Sequence, residues 1–327
     1  MRILRQSTRK DGEPLNLISW STHERYHGSL GKTKNKFYLI QGQGVKSWNY
    51  NYSPIPENHV LLPDLNIPAN IDIDIILSQN KAAHYNYAVN IARQTGIPII
   101  SLEHCLPPLG IDNVGLSQYR QYRGNIDVFI SEYSRNAWGF TPDDSTVIYH
   151  GVDTDVFNDR KLERQPYVLS VVNDWQNRDY YCGFNLWRQT TNFPNPNGLP
   201  VKVLGDNPGL SEPAKNINDL VLHYNYCGVF LNTSLVSPIP SVLLEAAACG
   251  SPIVSTNNCA IPELITHGVN GFLSNNPNEL RQYCLQLLKD KELARKMGEN
   301  ARTMVIQKFG MEKFVSSWQN VFRRVLQ

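Results

Sequence analysis

Two α/β domains with parallel sheets are predicted by three features of the sequence. Short apolar runs alternate with helical patterns, as strands joined by crossover helices do. The alternation runs once, breaks at a polar stretch over residues 153–166, and restarts at Tyr167. At 327 residues the chain is long enough for two such domains.

In the first half the apolar runs 37–40, 60–62, 73–77, 97–102, 128–130 and 147–149 read as strands. Residues 81–94 read as a helix, with Ala82, Ala83, Val89 and Ala92 available for its buried face. Gly96 ends it and Pro98 opens the next strand. In the second half 167–172, 201–205, 228–232 and 252–255 read as strands. The last stretch, 311–327, places Phe314, Val315, Trp318, Val321, Phe322 and Val325 on one side of an amphipathic helix.

Hydrophobic content of 41% and charged content of 18% are those of a soluble globular protein. A net charge of +2 gives no global attraction to nucleic acid or acidic lipid. The six cysteines are scattered without a Cys-x-x-Cys pair, and several lie in apolar runs, which predicts reduced, buried thiols and a cytoplasmic location. No apolar run approaches the ~18–20 residues of a membrane span. The first residues lack the apolar core of a signal peptide.

The most informative segment is Ser237-Pro238-Ile239-Pro240-Ser241-Val242-Leu243-Leu244-Glu245-Ala246-Ala247-Ala248-Cys249-Gly250. A loop with two prolines opens an apolar helix that carries one carboxylate, and Gly250 ends it before a buried strand. A helix N-terminus collects unpaired N–H groups and partial positive charge, so it suits a phosphate. A carboxylate beside it accepts hydrogen bonds from a sugar diol. The same residues also serve as an ordinary loop–helix–strand unit.

This segment resembles the nucleotide-sugar segment of family-four glycosyltransferases, which have the GT-B fold: two Rossmann-like domains facing each other across a cleft. The family pattern is Glu, seven residues, Glu, a small-residue run, Gly, Pro-Val-Val, and later Gly-Gly-Ile-Pro-Glu. Glu245 is the second Glu and Pro262-Glu263 the later pair; Ser237 occupies the first Glu position and Cys259-Ala260 the glycine pair. Upstream, His150-Gly151-Val152-Asp153 resembles the domain-junction signature, with His150 for the usual Asn, and 128–135 resembles the strand–Ser–helix start before it. The likeness covers roughly 75–327 and is sharpest over 228–273. Residues 1–70 match poorly and lack the family's glycine-rich first loop. The implied domains are 1–157, with the terminal helix 311–327 crossing back to it, and 165–310 for the nucleotide sugar.

Transfer from a nucleotide sugar requires neutralising the leaving diphosphate, holding the nucleoside and excluding water from the sugar. The resemblance assigns the donor to Glu245, to Ser237, Pro238, Ile239 and Pro240, to the backbone N–H groups of Ser241 and Val242, and to Asn173 and Asn177. Asn173 stands where the family has Arg. Arg178 lies near the family Lys and is assigned to the diphosphate; otherwise it pairs with Asp174 or Asp179 on a surface loop. His104 follows a buried strand where the family often has a histidine close to the donor sugar, and strand carboxyl ends are where ligands meet such sheets. Glu103 rivals it. His23, Glu24 and Arg25 are assigned to acceptor binding or cleft lining. His23-x-x-x-His27 lacks the Glu of a zinc motif, so no metal is expected.

The resemblance implies a hexosyl- or pentosyltransferase using a nucleotide diphosphate sugar, UDP-sugar being the commonest. It implies retention of configuration, no metal and no cofactor beyond the sugar nucleotide as co-substrate. The acceptor is not specified. Two alternatives stand beside it. Ser237 and Asn173 in place of charged residues suit a nucleotide-sugar-binding protein of weak activity. Arg2, Arg5, Arg9 and Lys10, with Tyr119-Arg120-Gln121-Tyr122-Arg123, suit an enzyme that glycosylates a hydroxylated DNA base, nucleic acid being a partner only as acceptor.

Overall fold

The computed structural model describes residue 9 and residues 12–42, 45–50, 53–63, 67 and 71–327. Arg2, Arg5 and Lys10 lie outside the described residues. The chain divides into two compact units, 1–151 with 312–327, and 152–311. Residues 152–157, placed in the first domain by the sequence, therefore belong to the second, where the Val152 N–H donates to Phe309 O at 2.8 Å. The helix Met311–Leu326 falls, but for its first residue, in unit 1.

Unit 1 holds a parallel sheet of seven strands: β1 (Asn16–Trp20), β2 (Lys36–Ile40), β3 (His59–Leu62), β4 (Ile75–Gln79), β5 (Ile99–Glu103), β6 (Ile126–Phe129) and β7 (Thr146–Val147). Their order is β3-β2-β1-β4-β5-β6-β7. Strand order reverses between β1 and β4, which pair with Leu17 opposite Ile75. In such a sheet the space beyond the strand carboxyl ends at the reversal is where a ligand fits. β1 is central and was not anticipated. Its apolar run Leu17-Ile18-Ser19-Trp20 is short, and no glycine loop follows it. His23 turns the chain there instead, in the left-handed region at φ 55°.

The helix expected over 81–94 is shifted. A π-turn, Asn80–His84, precedes the α-helix Tyr85–Thr95, and Gly96 closes it at φ 75°. The extra residue of a π-turn rotates the helix face. Ala82 and Ala83 consequently face solvent, while Lys81, His84 and Ala88 are buried. Lys81 is accommodated because its ammonium donates to Asp127 at 2.6 Å, Ser101 at 3.1 Å and Tyr122 O at 2.7 Å. The terminal helix buries Phe314, Trp318, Val321, Phe322 and Val325, with Val315 half-buried. Its Trp318 indole donates to the buried Tyr26 hydroxyl at 3.0 Å.

Unit 2 holds β8 (Gln165–Val171), β9 (Val201–Leu204), β10 (Cys227–Asn232), β11 (Ile253–Ser255) and β12 (Phe272–Leu273) in the order β12-β11-β10-β8-β9, all parallel. Here the reversal lies between β8 and β10. The core gathers Val168, Trp175, Trp187, Val229, Leu231, Leu280, Leu287 and Met297. The stretch before β8 has no regular structure, yet the Arg164 guanidinium ties it down through the carbonyls of Tyr224, Cys227, Cys249 and Gly250. Among the described residues no helix is long and apolar enough to cross a membrane.

Candidate functional site

At the carboxyl end of unit 2's sheet, Ser237–Pro240 leads from β10 into the helix Ser241–Ala248. Pro240 is the N-cap and offers no side-chain acceptor, and the first turn holds no acid. Ser241 is exposed and Val242 half-buried. The end of the helix thus presents partial positive charge with no internal anion to compensate it. The loop before it is fixed: Asn232 Nδ2 donates to Ser255 Oγ at 2.8 Å, and Thr256 Oγ1 to Ser234 O at 2.6 Å.

A second segment is pinned to the same edge. Asp174, at φ 51°, turns the chain after β8, and the Tyr181 carbonyl accepts from Leu235 N at 2.8 Å and Val236 N at 3.1 Å. Gly183 makes this approach possible, since a Cβ there would lie 2.0 Å from Thr233 O. On this segment the Asn173 carbonyl oxygen is occupied by Asp206 N at 2.9 Å, and the Asn177 amide donates to Asp174 at 2.7 Å. Asp179 accepts from the Asn185 backbone and amide at 2.7 Å and 2.6 Å. Both carboxylates that could hold Arg178 are therefore engaged elsewhere. The exposed Arg178 guanidinium has neither hydrogen bond nor ion pair among the described residues.

Glu245 lies one turn into the helix and is only 6% exposed. Its Oε2 accepts from the Tyr224 hydroxyl at 2.9 Å. Tyr224 is fully buried against Phe230, so the carboxylate is held as part of the unit's interior rather than as a free surface acid. Downstream, Cys259, at the family's glycine pair, stands at φ 51°. That is the left-handed region where glycine costs least, and Cys259 takes it with its side chain.

Unit 1's corresponding edge is built from histidines. Of the eight in the chain, six lie in this unit: His23, His27, His59, His84, His104 and His150. His104 follows β5, and His23, beyond β1, packs on it with ring centroids 3.9 Å apart. Tyr26 meets His104 and His150 edge-on at 4.6 Å and 5.3 Å. Gln79, the last residue of β4, and Asn80 after it bond to His104 Nε2 at 2.9 Å and His23 Nε2 at 3.2 Å. His84 stacks on Trp20 at 5.2 Å. Burial holds His104 and His27 well below the usual imidazole range, and holds His59 and His150 down to about 4. These imidazoles are neutral at pH 7.

The remaining candidates in unit 1 are spoken for. Glu103 is buried and accepts the N–H groups of Lys81 and Cys105, each at 2.8 Å. Glu24 accepts Asn49 N at 3.1 Å, and Arg25 is exposed. His27 does lie on a helix, Glu24–Gly31, but it is fully buried and bonded to Gln79 and His59, away from His23's partner Asn80. Among the described residues no group of three or more His, Cys, Asp or Glu is placed to hold a metal ion. Of the cationic cluster, Arg9 pairs with Asp74 at 2.6 Å, and Arg123 with Asp127 and Asp144 at 3.0 Å and 3.2 Å. Sequence reasoning missed Gln79, Asn80, His59 and Tyr224. The strand-end rule that singled out His104 applies equally to Gln79-Asn80 after Ile75–Leu77.

Residues 213–304 match the family of glycosyl transferases group 1. Over 88 residues the chain is 44% identical to N-acetyl-alpha-D-glucosaminyl L-malate synthase of Bacillus anthracis, covering 26% of this chain and 23% of that protein. Over 143 residues it is 27% identical to an uncharacterized glycosyltransferase of Methanocaldococcus jannaschii, covering 43% and 38%. The matched part thus spans less than half the length of these curated relatives. Among solved structures, Anabaena HepE in complex with UDP and glucose superposes with a TM-score of 0.73 at 15% identity, covering 95% of this chain and 100% of that one. Sucrose-phosphate synthase of Thermosynechococcus elongatus gives 0.71 at 14%, covering 96% and 99%. The fold is the GT-B type, with two Rossmann-like domains.

Proposed function

We propose that this protein is a glycosyltransferase that moves a sugar from a nucleotide diphosphate sugar to an acceptor. The observation that carries the reading is the uncapped, acid-free N-terminus of Ser241–Ala248, with the unpaired Arg178 on a segment hydrogen-bonded to the same loop. A leaving diphosphate carries the charge that these groups lack. That stretch lies within the part of the chain matching the group 1 transferases.

In this reading the N–H groups of Ser241 and Val242 and the Arg178 guanidinium receive the diphosphate. Ser237 offers a hydroxyl in place of a charge. Glu245, oriented by Tyr224, is assigned to the ribose hydroxyls, and Asn173 and Asn177 shape the rim. His104 meets the transferred sugar, with His23, Glu24 and Arg25 on the acceptor side. UDP is the proposed nucleotide, supported by the UDP complex of the HepE neighbour. No cofactor or metal is needed when helix N–H groups and a guanidinium stabilise the leaving group, and retention through the donor phosphate requires no protein nucleophile. A cytoplasmic location is consistent with the six free cysteines. The DNA-base alternative draws no support from Arg9 or Arg123, which are already paired.

The test is release of nucleoside diphosphate from a panel of UDP-, GDP- and ADP-sugars, with and without EDTA, across glycan, lipid and small-molecule acceptors. Turnover of at least one donor in EDTA is expected. No turnover of any donor, with no nucleotide raising the melting temperature, would sink the reading.

A further inference from the structure

The polar side chains behind His104 form one chain of hydrogen bonds whose direction is set from both of its ends. At the far end the Asn58 amide nitrogen donates to Gly31 O at 2.9 Å and Asn35 O at 2.6 Å, which turns its oxygen toward His59 Nδ1 at 3.1 Å. His59 must therefore carry its proton on Nδ1 and accept through Nε2. Its Nε2 faces His27 Nδ1 at 3.1 Å, and His27, which also hydrogen-bonds the Trp20 carbonyl, is protonated on Nδ1 and accepts through Nε2. That nitrogen faces Gln79 Nε2 at 2.7 Å, which must be the donor.

The near end gives the same orientation independently. The Ser19 hydroxyl donates to Leu77 O at 2.9 Å, so it accepts from Gln79 Nε2 at 3.0 Å. Both routes place the Gln79 nitrogen toward His27 and Ser19 and its oxygen toward His104 Nε2 at 2.9 Å. A carbonyl oxygen only accepts. His104 therefore holds its proton on Nε2 and leaves Nδ1 bare, and Nδ1 has no hydrogen-bond partner among the described residues. Ser19, His27, Gln79 and His104 are each at most 5% exposed, so water does not compete for these bonds.

We propose that Gln79 is a positioning residue, held by Ser19 and by the His27–His59–Asn58 chain, that fixes His104 as the Nε2–H tautomer so that Nδ1 meets a ligand hydroxyl as a hydrogen-bond acceptor. The second half of this statement, the hydroxyl ligand, rests on the glycosyl-transfer reading; the tautomer does not. Which imidazole nitrogen carries the proton is set by what the other one bonds to. A sugar or polyol hydroxyl would donate to His104, and a ligand carbonyl in its place would be rejected.

The measurement is nitrogen-15 NMR of the full chain labelled at histidine, at neutral pH. The wild type should show His104 protonated at Nε2 and bare at Nδ1. Gln79→Leu should lose this preference and populate both tautomers, whereas Gln79→Glu, which still accepts from Nε2, should restore it while displacing the His27 signal. A wild-type His104 protonated at Nδ1, or carrying both protons, overturns the proposal even if neither variant folds. So does an unchanged His104 pattern in Gln79→Leu. Donor turnover without the Nε2–H signature defeats this proposal alone; the signature without any donor turnover defeats the transfer reading and the ligand assignment while the relay stands.

Discussion

The carboxyl edges of the two sheets carry opposite chemistry at equivalent places. Beyond the strand reversal of unit 2 stand an exposed, uncapped helix end and Arg178, whose guanidinium has no hydrogen bond or ion pair among the described residues. Beyond that of unit 1 stand neutral imidazoles held by hydrogen bonds and ring contacts, with His104 Nδ1 left without a partner among the described residues. Unfilled positive potential attracts a charged group, and a neutral network that leaves one imidazole acceptor bare suits an uncharged donor such as a hydroxyl. One fold used twice is thus specialised by what is left unsatisfied at its carboxyl edge.

The contrast predicts unequal responses to mutation. Arg178→Ala should lower kcat by about 10²-fold or more, the scale of losing one group that stabilises developing charge, with a smaller change in KM. Steady-state kinetics with the best donor decide it. An equal effect on both constants would mean ground-state binding, and no effect would make the guanidinium a bystander.

Acid should strike unit 1 before unit 2. His59 is neutral in the folded chain down to about 4, against an ordinary value of 6.5 when unfolded. Between those values the unfolded state binds more protons, so stability falls as the pH drops through 6.5 and the loss is complete below about 4. For His59 alone this is roughly 3 kcal/mol; His27, His104 and His150 shift in the same direction. Hydrogen exchange at pH 7 and pH 5 should show β1 and β4 losing more protection than β10 and β11. Equal loss would contradict the assignment of the acid-sensitive groups to unit 1.

Tyr224→Phe should destabilise the fold by about 1–2 kcal/mol, because it leaves a buried carboxylate short of a donor. It should also weaken nucleotide binding less than Glu245→Ala, for which a loss of about 1–3 kcal/mol is expected. Calorimetry of both variants would separate anchoring from contact; Tyr224→Phe weakening UDP more than Glu245→Ala would reverse the roles. The smallest effect belongs to Cys259→Gly. Relief of the left-handed strain and the greater freedom of unfolded glycine nearly cancel, so the denaturation midpoint should move by less than about 1 kcal/mol in equivalent stability.

The larger part of unit 2's candidate site was legible because it is contiguous. Ser237 to Gly250 supplies loop, helix end, carboxylate and stop signal in one run, and short spacing survives in a sequence. In unit 1 only His104 was legible, because its surroundings are assembled from Ser19, His27, His59 and Gln79, brought together by the β3-β2-β1-β4-β5 order. Even β1 escaped notice, since the residue that turns the chain after it is His23 rather than glycine. The π-turn at Asn80–His84 is equally silent in the sequence: the helical pattern predicted a buried Ala82 and Ala83 and could not register the one-residue slip that buries Lys81 instead. Arg178 was readable as a cation near the diphosphate, but not that Asp174 and Asp179 bond to Asn177 and Asn185 while its guanidinium makes no ion pair among the described residues.

The proposed function stands on unit 2's carboxyl edge receiving the nucleoside diphosphate. Titration of the nitrogen-15-labelled full chain with UDP tests it most directly. Saturable shifts are expected at the amides of Ser241 and Val242 and across 173–178, with the His104 ring unmoved because a bare nucleotide brings no transferable sugar. Shifts confined to other residues, or none at millimolar UDP and the other nucleoside diphosphates, would contradict it.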